Sequence, residues 1–282
     1  DVKGLRIILE DLRHRWSEPD VHNLRQYIGS LVPPDKKAAK FSVDIRTDEF
    51  ADLAGIVDSD FLSKAVFKFE AVLSKTGDIK YKFKRKGIRK PIKRKVKFKK
   101  DFKCGPLRFT LHFYYRMKRK MKDFGIDIKD LVIFKQILDD SGNIRIYRDG
   151  IRISGFGNPD DDWVGLDALS RNDPSVVPAR NQIIASIRLS SDENPEITDT
   201  TTREKLIKNK AFQDMLEFVR DSIAVFAQIR GEIEKKRKSA PKKGSKFVQK
   251  ARENLMKAKD RRPLPDFGKA YPLIFYRGLE EE

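Results

Sequence analysis

Asn143-Ile-Arg-Ile-Tyr-Arg-Asp-Gly-Ile-Arg-Ile153 reads as two short strands folded back on one another around Asp149-Gly150. An Asp-Gly pair supplies the positive φ values that a tight hairpin turn needs. Working outward, residues 183–189 form a second strand signal, and Leu107, Phe109, Leu111 and Phe113 alternate as a half-buried strand does. Residues 126–138 have helical character, and residues 156–173 are loop-like, rich in Gly, Asp and Asn, and carry Trp163 and Leu166. Residues 203–229 give the clearest helix, with Phe212, Met215, Leu216, Val219, Ile223 and Phe226 on its buried face. This order of strands and helices defines a mixed α/β chain.

Towards the start, Gly4-Leu-Arg-Ile-Ile-Leu-Glu10 predicts a short buried strand. Ser17 predicts a helix N-cap, with Pro19 in the first turn and Glu18 and Asp20 at the positive end of the helix. Val21, Leu24, Ile28 and Leu31 make one apolar stripe, and Pro33-Pro34 ends it. Phe41, Val43 and Ile45 alternate as a strand. Residues 61–73 fit helix or strand equally well, and residues 79–98 read as a basic hairpin or extended arm with Gly87 and Pro91 inside it.

The chain has 282 residues, enough for one large domain or two small ones with a real core. Its 39% hydrophobic, 37% charged and 10% aromatic content is that of a charge-rich folded protein. No apolar run approaches the ~20 residues of a membrane span, and no signal-peptide pattern occurs. A lone cysteine, Cys104, excludes an internal disulfide and fits the cytoplasm. With His14, His22 and His112 scattered, no zinc site is expected.

The net charge of +19 is segregated. Residues 80–100 hold 13 basic and no acidic residues, residues 235–262 hold 13 basic and 2 acidic, and the remainder is net −5. A solubilising surface mixes its signs, so this pattern predicts a polyanion partner, DNA or RNA, with an acidic protein and a plain solvated surface as the alternatives. The candidate binding residues are Lys80, Lys82, Lys84, Arg85, Lys93, Arg94, Lys95 and Lys97, and Tyr81, Phe83 and Phe98 are interleaved as candidate stacking faces.

No phosphate-binding glycine loop occurs; Gly155-Phe156-Gly157 reads as an ordinary turn. Asp160-Asp161-Asp162 reads as a solvated loop in preference to a metal site. Asn194-Pro-Glu-Ile-Thr-Asp-Thr-Thr-Thr-Arg-Glu-Lys-Leu206 leads into the long helix. With Thr201 or Thr202 as its cap, Arg203 falls at the positive end of the dipole, where a cation needs a compensating anion: a structural salt bridge or a phosphate.

Residues 143–220 resemble the middle domain of the ninety-kilodalton heat-shock chaperones. The resemblance lies in Ile144-Arg-Ile-Tyr-Arg148, Asp162-Trp-Val-Gly-Leu166, residues 183–189 and Thr202-Arg-Glu-Lys-Leu206. Upstream, Cys104-Gly-Pro-Leu-Arg-Phe-Thr-Leu111 resembles the first strand of that domain, and Lys3-Gly-Leu-Arg-Ile7 the strand after the ATP lid, with Leu5 where a threonine is usual. Tyr147-Arg-Asp-Gly-Ile-Arg-Ile153 with Asp162-Trp163 is also similar to bacterial ATP-binding proteins of that type, which suggests a bacterial-defence setting. The resemblance implies that Arg203, beside Thr202, reaches the γ-phosphate of ATP held with magnesium by an upstream GHKL ATPase domain, whose pocket motifs are expected before Asp1. It replaces the family's leucine-asparagine pair with Asp199-Thr200.

The implied organisation has residues 1–50 as the C-terminal remnant of a Bergerat-type ATPase domain. Residues 51–230 follow as a ribosomal protein S5 domain 2-like transducer domain carrying a basic arm at 79–103, and residues 231–282 as a basic linker and tail. ATP hydrolysis is expected only with the upstream domain. The expected partners are that domain, DNA or RNA, and a second copy of the chain. The alternative is a sequence-nonspecific nucleic-acid-binding module or scaffold subunit that no longer uses ATP.

Overall fold

The computed structural model describes residues 5–10, 12–31, 42–56, 60–97, 101–128, 131–172, 177–200 and 205–239. It divides into two compact units, Asp1–Ala227 and Gln228–Glu282. The helices in chain order are α1 (Glu18–Leu31), α2 (Lys118–Lys122), α3 (Leu131–Ser141), α4 (Leu166–Asn172) and α5 (Lys210–Ser239). The strands are β1 (Asp44–Ile45), β2 (Gly55–Ile56), β3 (Phe67–Leu73), β4 (Asp78–Arg85), β5 (Ile92–Lys97), β6 (Leu107–Phe113), β7 (Asn143–Arg148), β8 (Ile151–Ile153) and β9 (Ile183–Leu189).

Seven strands form one mixed sheet in the order β5-β4-β3-β6-β9-β7-β8, so the chain is α/β as expected. Only β7 and β9 run parallel; their connection passes through β8 and α4, as a parallel pair requires a crossover. The β7–β8 turn has φ of 52° at Asp149 and 89° at Gly150, the two positive values of a type I′ hairpin. Alternation gives the sheet two faces. One carries Phe67, Phe69, Tyr81, Phe83, Phe109, Leu111, Phe113, Ala185 and Ile187, all buried. Phe226 of α5 lies at ring-centroid distances of 5.6 Å from Phe83, 5.8 Å from Phe69 and 5.9 Å from Phe113, so α5 packs on this face. The other face carries the exposed Lys68, Lys80, Lys82 and Lys84 on β3 and β4, and on β6 and β9 the buried Thr110, His112, Ile184 and Ser186 beside the partly exposed Arg108 and Arg188.

Several expectations change. Leu5 to Glu10 pairs with no strand among the described residues, and Leu5 and Ile7 are 87% and 74% exposed; an apolar run without a ladder partner is not a buried strand. Around Phe41, Val43 and Ile45 only Asp44–Ile45 is a strand, paired with Gly55–Ile56, and Phe41 lies outside the described residues. The ambiguous residues 61–73 hold both forms, a 3-10 turn over Asp60–Lys64 and then β3. The basic segment takes the hairpin form, with Ile79 to Arg85 of β4 paired to β3 inside the main sheet. Residues 126–128 are not helical; the helix there begins at Leu131.

Asp160, Asp161 and Asp162 lie in a loop as expected, Asp160 exposed and the other two partly exposed and hydrogen-bonded. Asp162 accepts hydrogen bonds from the Leu166 and Asp167 amides (2.6 and 3.0 Å) and caps α4, while Asp161 accepts from the Gly157 amide (2.9 Å). The long helix starts at Lys210, not Arg203. Asn209 caps it, its Oδ1 accepting from the Phe212 amide at 2.9 Å, and Leu206 is instead bridged to Asp199. The helix also continues through Gly231 to Ser239. Ser17 opens α1 as expected, but its amide and hydroxyl both donate to Asp20 Oδ2, which holds the Asp20 carboxyl below the ordinary carboxylate range.

Candidate functional site

Arg203 and Thr202 lie outside the described residues, and so do most of the basic tail residues. The residues on either side of them, up to Thr200 and from Lys205, are described. Thr200 N–H donates to Lys205 C=O at 2.8 Å, and Ile207 N–H donates to Thr198 C=O at 2.9 Å, which joins the two flanking segments. One arginine anchors the first of them. Arg148, the last residue of β7, donates through Nη1 to Asp199 Oδ1 (2.6 Å) and through Nη2 to Ile197 C=O (2.6 Å).

The other segments that carry the resemblance are held by further bonds, one of them at the other end of β7. Trp163 Nε1 donates to Ile144 C=O in β7 (2.9 Å), and Arg220 Nε of α5 donates to Val164 C=O (2.9 Å). Asn194, 1% exposed, donates through Nδ2 to Cys104 C=O (2.6 Å) and Pro106 C=O (2.9 Å) and accepts from the Ser190 amide (2.8 Å). Gly105 between those carbonyls has φ of 71°, and a Cβ there would stand 2.4 Å from Glu193 C=O. Segments separated by up to 90 residues in sequence are thus tied to one another through hydrogen bonds between side chain and backbone.

The basic hairpin divides its candidate residues between the two faces. Lys80, Lys82 and Lys84 of β4 are exposed on the face opposite α5, and the register sets Lys80 against Lys95 and Lys82 against Lys93. These two cross-strand pairs, with Glu70 and Val72, line a concavity of about 450 Å³. Lys95 is paired with Asp78 at 2.8 Å, and Glu70 with Arg108, whereas Lys80, Lys82, Lys84 and Lys93 form no ion pair among the described residues. Lys97 is set against Asp78 in the ladder. Arg94 is set against Tyr81, and Arg85 stacks over Phe124 at 5.8 Å; both fall on the α5 side and leave the lysine array. Tyr81 and Phe83 are 4% and 1% exposed, so they are core and offer no stacking face; Phe98 lies outside the described residues.

Reading the sequence missed that this face continues across the sheet. The ladder places Arg108 of β6 beside Val72 and Arg188 of β9 beside Arg108, so their row runs through Val72 to Lys80 and Lys95. Lone arginines in strands carry no local signal of a shared face; only the register aligns them. Among the described residues no group of three Asp, Glu, His or Cys side chains is placed to hold a metal ion, and no helix is long and apolar enough to cross a membrane.

Compared with known proteins, the chain matches no family and no curated protein.

Proposed function

We propose that this chain is the transducing half of a GHKL-type ATPase, of the S5 domain 2-like kind, presenting Arg203 to ATP held by a separate nucleotide-binding domain. The observation that carries the reading is the grip of Arg148 on Asp199 and Ile197. It joins the Ile144-Arg-Ile-Tyr-Arg148 strand, one carrier of the resemblance, to the segment leading into another. Flanking segments joined to each other and anchored to a sheet are a suitable support for a group that must reach a ligand on a neighbouring domain.

The donor set fits a division of labour. With no metal-ligating cluster among the described residues, magnesium belongs with the nucleotide-binding domain. The chain's own contribution is a guanidinium, with Thr202 beside it. Bound ATP supplies the phosphoryl group, and Arg203 stabilises the negative charge that develops as it is transferred. Because α5 opens at Lys210, Arg203 does not stand at its terminus and carries no helix-dipole cost there. The segment leading to Arg203 follows β7 through Arg148, and α5 follows β7 through Trp163 and the Val164 carbonyl. ATP state is relayed along that path.

The test is Arg203→Ala in the protein joined to its nucleotide-binding domain. Turnover falls about 10-fold to 1,000-fold while nucleotide binding changes little. Arg203→Lys rescues poorly, because an ammonium cannot reach two phosphate oxygens as a planar fork does. Unchanged turnover in Arg203→Ala reduces Arg203 to a structural salt bridge and removes the proposal's central residue.

A further inference from the structure

We propose that the exposed lysine array of β4 and β5, on the sheet face opposite α5, binds the phosphate backbone of double-stranded nucleic acid without reading its sequence. This inference does not depend on the transducer reading; it stands on the arrangement of charge along the ladder.

Like charges set directly opposite across an antiparallel pair destabilise a sheet. Here two such pairs are adjacent: Lys80 against Lys95 and Lys82 against Lys93. A third, Arg108 against Arg188, continues the first row two strands further on. A solvated strand face gains nothing from this repetition, since alternating signs would keep it as soluble and more stable. The repulsion is relieved when phosphates sit between the cations.

The acids on this face, Glu70, which the ladder sets beside Lys82, and Asp78, are fewer than its cations. Glu70 pairs with Arg108 and Asp78 with Lys95, which leaves Lys80, Lys82, Lys84 and Lys93 without an ion pair among the described residues. The row from Arg188 to Lys95 crosses five strands in the order β9-β6-β3-β4-β5. At 4.7–4.9 Å per strand it is about 19 Å long, roughly the axial rise of six nucleotides at ~3.4 Å each. The concavity between Lys80, Lys82, Lys93 and Lys95 gives the backbone a curved seat instead of a flat one.

The same face argues for a duplex. Proteins that hold single strands add aromatic platforms to a basic groove. Tyr81 and Phe83 lie on the α5 side, and Tyr147, beside Arg188 in the ladder, is 1% exposed, so the lysine array has no described aromatic platform among its own residues. Binding then depends on phosphate geometry, which positions a protein on its nucleic acid and carries no sequence information.

Fluorescence anisotropy on the full chain tests this, with labelled duplex DNA, duplex RNA and single-stranded DNA as probes. Four phosphate contacts predict a salt slope near −3.6 and a loss of about 150-fold in affinity between ~50 and ~200 mM salt. The double substitution Lys82→Gln and Lys93→Gln reduces the magnitude of the slope by about two. The pair Lys118→Gln and Lys122→Gln removes equal charge from α2, outside the sheet, and leaves the slope unchanged. Duplex DNA or RNA binds at least as tightly as the single strand. Absence of binding at ~50 mM salt overturns the proposal. So does an equal loss in the α2 control, a clear preference for the single strand, or tighter binding to polyglutamate, which would assign the face to an acidic protein.

Discussion

Arg148 closes two hydrogen bonds of 2.6 Å, to the Asp199 carboxylate and to the Ile197 carbonyl, across a sequence separation of about fifty residues. Its side chain is mostly buried and that of Asp199 is partly so, and such a charge-assisted pair loses less to solvent than a surface ion pair. The consequence is mechanical. The end of β7 and the start of the 200–205 loop move together.

Arg148→Met is therefore expected to release the loop before it unfolds the domain. Losing both bonds costs about 1–3 kcal/mol. Limited trypsin digestion reads the local effect: cleavage after Arg203 and Lys205 accelerates at temperatures where far-ultraviolet circular dichroism remains native. Asp199→Asn keeps an acceptor oxygen and shows a smaller increase. Equal cleavage rates in Arg148→Met and the parent would mean the loop is held elsewhere.

The turn after β9 and the loop before β6 depend on one another through Asn194 and Gly105. Asn194→Ala leaves two carbonyls and an amide without their partner and is expected to cost at least about 2 kcal/mol. Gly105→Ala combines a left-handed φ with a Cβ driven against the Glu193 carbonyl, and costs more than about 1 kcal/mol. Urea denaturation midpoints check both. Because the two residues share one contact, the double variant loses less than the sum of the singles.

Much of the sheet was legible in the sequence. β6, β7, β8 and β9 follow from alternation and one Asp-Gly turn, because each signal is local. The start of α5 was not, since Thr201, Thr202 and Asn209 are all acceptable caps; Asn209 prevails because Leu206 is drawn into a bridge with Asp199. The hairpin residues Tyr81 and Phe83 were misassigned as stacking faces although their strict alternation with lysine is the pattern of a strand with one dry side. The strand expected over residues 4–10 failed because an apolar run says nothing about whether a partner strand exists. The continuation of the basic face to Arg108 and Arg188 was invisible, since it depends on register across strands about eighty residues apart.

The aromatic core concentrates on one residue. Phe226 is fully buried and faces Phe83, Phe69 and Phe113 within 6 Å between ring centroids. Phe226→Ala removes those contacts and leaves a cavity, at a cost of about 3–5 kcal/mol. Phe226→Leu retains most of the volume and costs less. Thermal midpoints should order the three proteins as parent, Leu, Ala. A smaller loss for Ala than for Leu would show that α5 is not seated on this face.

The Arg116–Asp139 pair gives a pH signature. Arg116 donates through Nη1 and Nη2 to the two oxygens of Asp139 at 2.7 and 2.8 Å, and Asn181 adds a third bond at 3.0 Å. Hydrogen bonding from Arg116 holds the Asp139 carboxyl below the ordinary carboxylate range. A lowered folded-state pKa means that the carboxylate stabilises the fold above its unfolded pKa of ~3.9, and that this contribution is lost as pH falls through the lower folded value. The pair is partly exposed, so the contribution is at most about 1 kcal/mol, or roughly 2–4 °C in the thermal midpoint. Asp139→Asn should thus lower the midpoint at neutral pH, and the difference from the parent should close as the pH drops below the carboxylate range. Asparagine cannot titrate, so a gap that stays constant down to acid pH would assign the loss to packing or to the Asn181 bond instead of to the charge.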